Sequence, residues 1–426
     1  MDFYQIDGGI PLRGEYRVKG AKNAALPILA ATVCSPGVHK LYDCPRIGDV
    51  FVMETILTEL GAKTSWEDCA LIVDTSSVTK TEVPRELMEG MRSSVFLLGS
   101  LLARCGEAKI SRPGGCRIGK RPIDIHLAGL SQMGFAVQIR EEDVLCSGIC
   151  RGGKVTLPYP SVGATENLMM AALSGESDTI IENCATEPEV ADLAGFLRNC
   201  GFPVHGGGSD TIFIKGSGSR IRALEHAELK LETQYFISED RIEAATYLMA
   251  ALGTGGSILL RNARPELLQE VLRTLERMGA RIRSFDDMIE LRSPGRLTSP
   301  GIVITQPYPG FPTDCQPQLM SLATCATGRT TIREEVFESR FTHKKELVKM
   351  GADIEICGKN AIIKGSGMLY GSEVSALDLR GGAALILAGL MAEGRTYIRG
   401  IEHIDRGYEN LHKGIKGLGG LIERRT

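Results

Sequence analysis

The sequence predicts an α/β protein of two domains, each built from three copies of one structural unit. Three observations carry this. A helix-ending motif, L-x-x-(L/M/C)-G-(A/F/G), recurs as LTELGA, LSQMGF, LRNCGF, LERMGA and LVKMGA, with a degenerate sixth copy, IKGLGG. Its glycines, Gly61, Gly134, Gly201, Gly279, Gly351 and Gly419, fall 67–78 residues apart, the mark of an internal repeat. At 426 residues the chain is also longer than one ordinary core supports.

In the first unit, Met53, Ile56, Leu57 and Leu60 recur with the 3.6-residue period of an amphipathic helix. Gly61 then stands where a helix C-cap needs a left-handed residue, and a strand-like run follows. The fourth unit repeats the pattern with Leu268, Val271, Leu272 and Leu275 ahead of Gly279. Upstream of these helices lies a second marker, an apolar helix that passes through a turn into a β-rich run. Its copies are LAATVCSPGVHKLYD, LLGSLLARCGEAKIS, LMMAALSGESDTIIEN, LMAALGTGGSILLRN, LMSLATCATGRTTIRE and LILAGLMAEGRTYIRG. Each unit therefore reads helix, strand, helix, then strands. The widest glycine interval separates the third and fourth units and holds a polar stretch over residues 217–241. The domain junction is placed near residue 230, with an active site expected between two pseudo-equivalent domains.

An apolar content of 43% with 24% charged residues fits a globular protein. The formal net charge of −3 offers no general attraction to nucleic acid or an anionic membrane, and a single Trp leaves little for base stacking. The N-terminus MDFYQIDGG has no basic or apolar leader region, and no apolar run reaches the roughly 18 residues of a membrane span. The twelve cysteines are scattered without a CxxC pair, so neither a zinc site nor a disulfide framework is expected, and a reducing cytoplasm is.

Chemistry is expected in the loops, where the copies differ. PGGCRIGKRPID (113–124) sets Cys116 behind a Pro-Gly-Gly turn, with Arg112, Arg117, Lys120 and Arg121 around it. Such cations stabilise a thiolate and attract an anionic substrate. Lys22, Arg92, Arg121, Arg340, Arg380 and Arg406 stand singly in apolar or Gly-rich surroundings, which suits the binding of phosphate or carboxylate. A salt bridge to a neighbouring carboxylate is the plainer reading of any one of them. PSVGATEN (160–167) opens an apolar helix and offers backbone N–H groups to a phosphate, although Ser caps many helices for structural reasons alone.

GAKNAALP, MRSSV, PGGCRIGKRPID, SVGAT, FPTD, FESRF, DLRGG and HIDRGYE together resemble the UDP-N-acetylglucosamine 1-carboxyvinyltransferase family, the enolpyruvyl transferases that open peptidoglycan synthesis. The resemblance spans essentially the whole chain. It implies an inside-out α/β barrel of six βαβαββ units in two domains, residues 21–230 forming one and residues 1–20 with 231–426 the other. It also implies transfer of the enolpyruvyl group of phosphoenolpyruvate to the 3′-hydroxyl of UDP-N-acetylglucosamine with release of phosphate. No metal or cofactor is implied, and the expected protein is a cytoplasmic monomer serving cell-wall synthesis and division, with no nucleic-acid partner and no membrane insertion.

Carried over by position, Cys116 is the proton donor to C3 of the enol and a site of covalent adducts, including those of fosfomycin-type epoxides. Whether it acts mainly as acid or as nucleophile stays open. Asp314 is matched to the base approaching the sugar hydroxyl. Lys22, Arg121 and Arg406 hold phosphate and carboxylate. Asn23, Arg92, Pro122, Ile123, Asp124, Ile125, Ser161, Val162, Gly163 and Val336 line the UDP-sugar site, and Arg340, Asp378 and Arg380 complete the other domain's side. Tyr159 and Gly48 stand where some members carry lysine.

Plainer readings accompany several of these residues. Asp314 could cap a helix after Pro312. His126, His343 and His403 read as loop hydrogen-bonders, Asp405 as an ion-pair partner orienting Arg406, and the other eleven cysteines as structural. Rival functions are 5-enolpyruvylshikimate-3-phosphate synthase, which lacks the cysteine loop, a non-catalytic UDP-sugar sensor, which needs no proton donor, and an RNA-processing enzyme, which the net charge disfavours.

Overall fold

A computed structural model describes residues 2–111, 119, 122–140, 143–226, 231–365 and 367–426. The chain divides into two compact units, one holding Met1–Lys19 and Glu239–Thr426, the other holding most of Gly20–Ser238. Each unit has its own hydrophobic core.

The six repeats are visible as six sheets among the described residues, three in each unit. In the fourth repeat, strand Arg13–Arg17 runs parallel to Ser257–Arg261, which pairs antiparallel with Met288–Arg292, itself paired with Arg281–Ser284. With the helices Arg241–Gly253 and Gln269–Arg277 this is one βαβαββ unit. Each repeat thus has an inner and an outer helix. The inner helices Lys22–Ala31, Leu97–Cys105, Val162–Ala172, Arg241–Gly253, Gln316–Thr324 and Leu379–Met391 are buried almost all round. Unlike an ordinary surface helix they carry no polar face, and the sheets wrap outside them.

The repeat glycines close the outer helices as the motif predicts. All six have positive φ, from 83° at Gly201 to 109° at Gly61, a region that costs other L-residues energy. In every copy the residue after the glycine returns its N–H to a helix carbonyl five residues back. The bonds are Ala62 to Leu57, Phe135 to Leu130, Phe202 to Leu197, Ala280 to Leu275, Ala352 to Leu347 and Gly420 to Ile415, at 2.9–3.1 Å. These are six Schellman caps.

The repeats are closed by strands from distant parts of the chain. Leu231–Phe236 lies parallel to Gly37–Tyr42 and completes the first sheet of its unit. Phe3–Asp7 sits between Arg395–Arg399 and Leu421–Arg425 and completes the sixth repeat. The division between units therefore falls at Ser238/Glu239 instead of at 230/231. The polar, charged run in which a linker was expected contains an edge strand, Leu231–Phe236, whose alternating exposure hides it from a hydrophobicity reading.

Several polar groups are buried on the inner helices, and Glu166 is one of them. It is fully buried in Val162–Ala172, and neither carboxyl oxygen has a hydrogen-bond partner among the described residues. Burial, with Glu189 and Glu187 nearby, raises its pKa well above the ordinary value. Its native state keeps a proton that the unfolded chain releases, so stability is lost as pH rises above the ordinary glutamate range near 4.5. Glu166→Gln, which mimics the protonated acid, is expected to match the wild-type Tm at pH 4 and exceed it at pH 8. The gain corresponds to about 1–3 kcal/mol, at roughly 2–4 °C per kcal/mol. Equal Tm values at pH 8 in a thermal-unfolding series would refute this.

Candidate active site

Several of the expected residues stand at the N-terminal ends of helices, inner and outer. In the unit built on Gly20–Ser238, Lys22 and Asn23 open Lys22–Ala31, and Ser161 caps Val162–Ala172 by accepting from the Ala164 N–H at 3.4 Å. Asp124 and Ile125 open Asp124–Gln132, just after Pro122 and Ile123. Arg92 begins the short 3-10 turn Arg92–Phe96. Cys116, Arg121 and the Arg92 side chain lie outside the described residues. The Lys22 ammonium is 2.6 Å from the carboxylate of Asp49, which is buried in the first turn of Gly48–Glu59. Asp49 was missed in the sequence, although it ends the polar run PRIGD at residues 45–49.

In the other unit the structure brings three expected residues into direct contact. Asp314 lies in the 3-10 turn Thr313–Cys315, ahead of Gln316–Thr324. Arg340 donates from Nη2 to Asp314 Oδ1 at 2.6 Å and from Nε to the Thr313 carbonyl at 3.2 Å. Arg380 donates from Nη2 and Nε to Asp314 Oδ2 at 3.1 and 3.3 Å. Both arginines are 3% exposed, whereas the Asp314 side chain keeps 27% of its surface open. Asp314 stands inside the 3-10 turn and not at the N-cap position of Gln316–Thr324, which is Cys315. Burial alone would lower the Arg380 pKa, but the surrounding Tyr408, Asp314 and Asp240 outweigh it and raise it above the ordinary value.

Other expected residues have scaffold duties. Asp378 caps Leu379–Met391, its Oδ1 accepting from the N–H groups of Arg380 and Gly381 and its Oδ2 from the Thr342 hydroxyl. Val336 donates its N–H to Glu334 Oε1 at 2.9 Å. Buried Glu334, absent from the sequence reading, also takes bonds from Thr305, Thr313 and Phe337 and so ties the 334–337 loop to the Asp314 turn. Arg406 ends the helical turn Glu402–Asp405. The Asp405 carboxylate goes to Arg424 at 2.8 Å and Tyr4 at 3.4 Å, so its visible bonds orient the chain termini and not Arg406.

Two of the three histidines expected in loops lie in helices, and His343 stands in the turn before one. His126 lies in Asp124–Gln132 with Nδ1 3.0 Å from the Asn167 amide, and His403 lies in Glu402–Asp405. His343 starts Lys344–Lys349, and burial lowers its pKa to about 4, so it is neutral at physiological pH. Among the other cysteines, Cys69 and Cys357 are exposed instead of buried. Cys315, beside Asp314, is buried, and that burial pushes its thiol up to about 12. Among the described residues no helix is long and apolar enough to cross a membrane.

Six βαβαββ repeats in two units, with cationic and acidic side chains at the inner-helix ends, define a carboxyvinyl (enolpyruvyl) transferase. The family model described as EPSP synthase (3-phosphoshikimate 1-carboxyvinyltransferase) matches residues 6–415. The chain is similar, over its whole length and theirs, to UDP-N-acetylglucosamine 1-carboxyvinyltransferase 2 of Caldanaerobacter subterraneus subsp. tengcongensis (44% identical, 100% of each chain) and to the enzyme of Halothermothrix orenii (43%, 100% of each). Among solved structures it is similar to the enolpyruvyl transferase NikO from Streptomyces tendae, with a TM-score of 0.87 and 25% identity over 100% of this chain and 99% of that one. EPSP synthase from Acinetobacter baumannii, with a TM-score of 0.73 and 20% identity over 100% of both chains, shares the fold. The chain belongs to the UDP-N-acetylglucosamine 1-carboxyvinyltransferase family.

Proposed function

We propose that this protein transfers the enolpyruvyl group of phosphoenolpyruvate to the 3′-hydroxyl of UDP-N-acetylglucosamine and releases phosphate, opening peptidoglycan synthesis in the cytoplasm. The full-length identity of 42–44% to relatives bearing that transferase name carries the reading. In the addition step Cys116 gives a proton to C3 of the enol while the sugar oxygen bonds to C2 and its proton passes to Asp314. In the elimination step C3 returns a proton to the Cys116 thiolate, the double bond re-forms, the C2–O bond to phosphate breaks and the departing phosphate takes the proton held by Asp314. Nothing is oxidised or reduced, so no redox cofactor is required.

Lys22, Arg121 and Arg406 hold the phosphate and carboxylate, where fixed cations stabilise the charge that builds up. Asn23, Arg92, Pro122, Ile123, Asp124, Ile125, Ser161, Val162, Gly163 and Val336 receive the UDP-sugar. The described contacts support Asp314 in its role. Its Oδ1 accepts from Arg340, and the lone pairs of a carboxylate oxygen can take more than one donor, a sugar hydroxyl among them. A phosphate-release assay with phosphoenolpyruvate tests the proposal. Release is expected with UDP-N-acetylglucosamine and not with shikimate 3-phosphate, and the opposite pattern would overturn it.

A further inference from the structure

The clamp on Asp314 rests on a tyrosine that has no assigned part in the reaction. Tyr408 is 2% exposed, and the Arg380 guanidinium lies 5.3 Å over the centre of its ring. A cation on an aromatic face is attracted by the ring's quadrupole, the more so out of water. The ring therefore supports the guanidinium that holds Asp314 Oδ2.

The tyrosine hydroxyl is fixed by two other inner helices. It lies 2.9 Å from Thr246 Oγ1, on Arg241–Gly253, and accepts from Gln318 Nε2 at 3.2 Å, on Gln316–Thr324. Thr246 gives its own proton to the Ile242 carbonyl at 2.8 Å. The proton between Thr246 and Tyr408 must then come from Tyr408, while Gln318 Nε2 also donates to Thr246 at 3.2 Å. With its proton committed to Thr246, the hydroxyl cannot donate elsewhere, so it anchors the ring. Thr246, Gln318 and Arg380 belong to the three inner helices of one unit, which pack against one another. Arg380 carries that contact to Asp314 Oδ2.

We propose that Tyr408 is a positioning residue for the transfer reaction: anchored by Thr246 and Gln318, it sets the Arg380 fork and thereby aims Asp314. The inference rests on the proposed role of Asp314 as proton acceptor. It adds that the aim of the carboxylate is determined through Arg380 by a buried ring. An acceptor displaced by an ångström can lose on the order of 100-fold in rate while binding survives.

Steady-state phosphate release by the full-length protein tests it. Tyr408→Leu, which removes the ring, is expected to lower kcat by roughly 30–100-fold, and Tyr408→Phe, which keeps the ring and drops the anchor, by roughly 3–10-fold. KM for both substrates should stay within about two-fold in each variant, since a misaimed acceptor impairs the chemical step and not uniform binding. Thr246→Val should match Tyr408→Phe. In an Asp314→Asn background, Tyr408→Phe should cause no further loss, because groups acting as one unit are not additive.

A kcat within two-fold of wild type in folded Tyr408→Leu would overturn the proposal, as would a full additive loss in the Asp314→Asn background. If Tyr408→Leu does not fold, Tyr408→Phe and Thr246→Val decide by the same comparison. Failure of the wider functional reading would look different, because wild-type protein would then release no phosphate with UDP-N-acetylglucosamine.

Discussion

Replacing Asp314 with Asn is expected to lower kcat by two to four orders of magnitude, the usual worth of a positioned acid–base group. The substitution keeps the shape of the side chain but not its proton affinity, so the sugar hydroxyl loses its acceptor. It also has a structural cost that can be read separately. Arg340 and Arg380 are nearly buried, and both direct side-chain bonds to Asp314. An amide presents an NH₂ group to one of two cations that need an acceptor. Breaking a buried ion pair in this way costs about 3–5 kcal/mol, so Tm should fall together with kcat. Steady-state kinetics at saturating substrate, with thermal unfolding of the same sample, separate the two effects. An unchanged kcat would remove Asp314 from the proton transfer, and an unchanged Tm would show that the guanidinium groups do not depend on it.

Cys116→Ala is the second large effect, an expected loss of turnover of at least 100-fold with binding of UDP-N-acetylglucosamine retained. The argument is chemical: C3 of the enol must gain a proton, alanine has none to give, and the cations of the 113–124 loop remain to bind anions. An epoxide of the fosfomycin type should add to wild-type protein at Cys116 and leave the variant unlabelled, as read by peptide mass mapping. The other thiols are a built-in control. Burial pushes Cys200 and Cys315 up to about 12, where thiolate is scarce, and contact with Glu355 raises Cys357. Labelling at exposed Cys69 in preference to Cys116 would count against a specially reactive loop cysteine.

Much of the scaffold was legible because its signals are local. A glycine at a left-handed helix cap cannot be replaced without strain, so six glycines at one period report six helix ends directly. The strands that close each unit were less legible. Leu231–Phe236 carries an edge-strand pattern amid charged residues, and its partner Gly37–Tyr42 lies far away in sequence. Within the site, isolated arginines announced anion binding, but two of them, Arg340 and Arg380, turned out to grip an internal carboxylate, a partner that spacing alone does not reveal. Asp378 was placed in the site by the resemblance, and its bonds to the N–H groups of Arg380 and Gly381 also serve the helix start. Asp49 and Glu334 were missed because Lys22, Thr305 and Thr313, which they hold, are remote in sequence. Glu166 did carry a signal, a lone charge in an otherwise apolar helix, and it was read past.

The closure of the sheets by distant strands also sets an order of events during biosynthesis. The unit between Gly20 and Ser238 has every strand it needs once residue 238 has emerged, so it can fold while the ribosome is still working. The other unit cannot. Phe3–Asp7 is made long before its neighbours Arg395–Arg399 and Leu421–Arg425. At about 5–20 residues per second this strand waits roughly 20–80 s for its partners. For the later part of that wait, after residue 238 has emerged, the nascent chain carries a finished globule and, on its N-terminal side, an unmatched β-segment, a natural point for chaperones to engage.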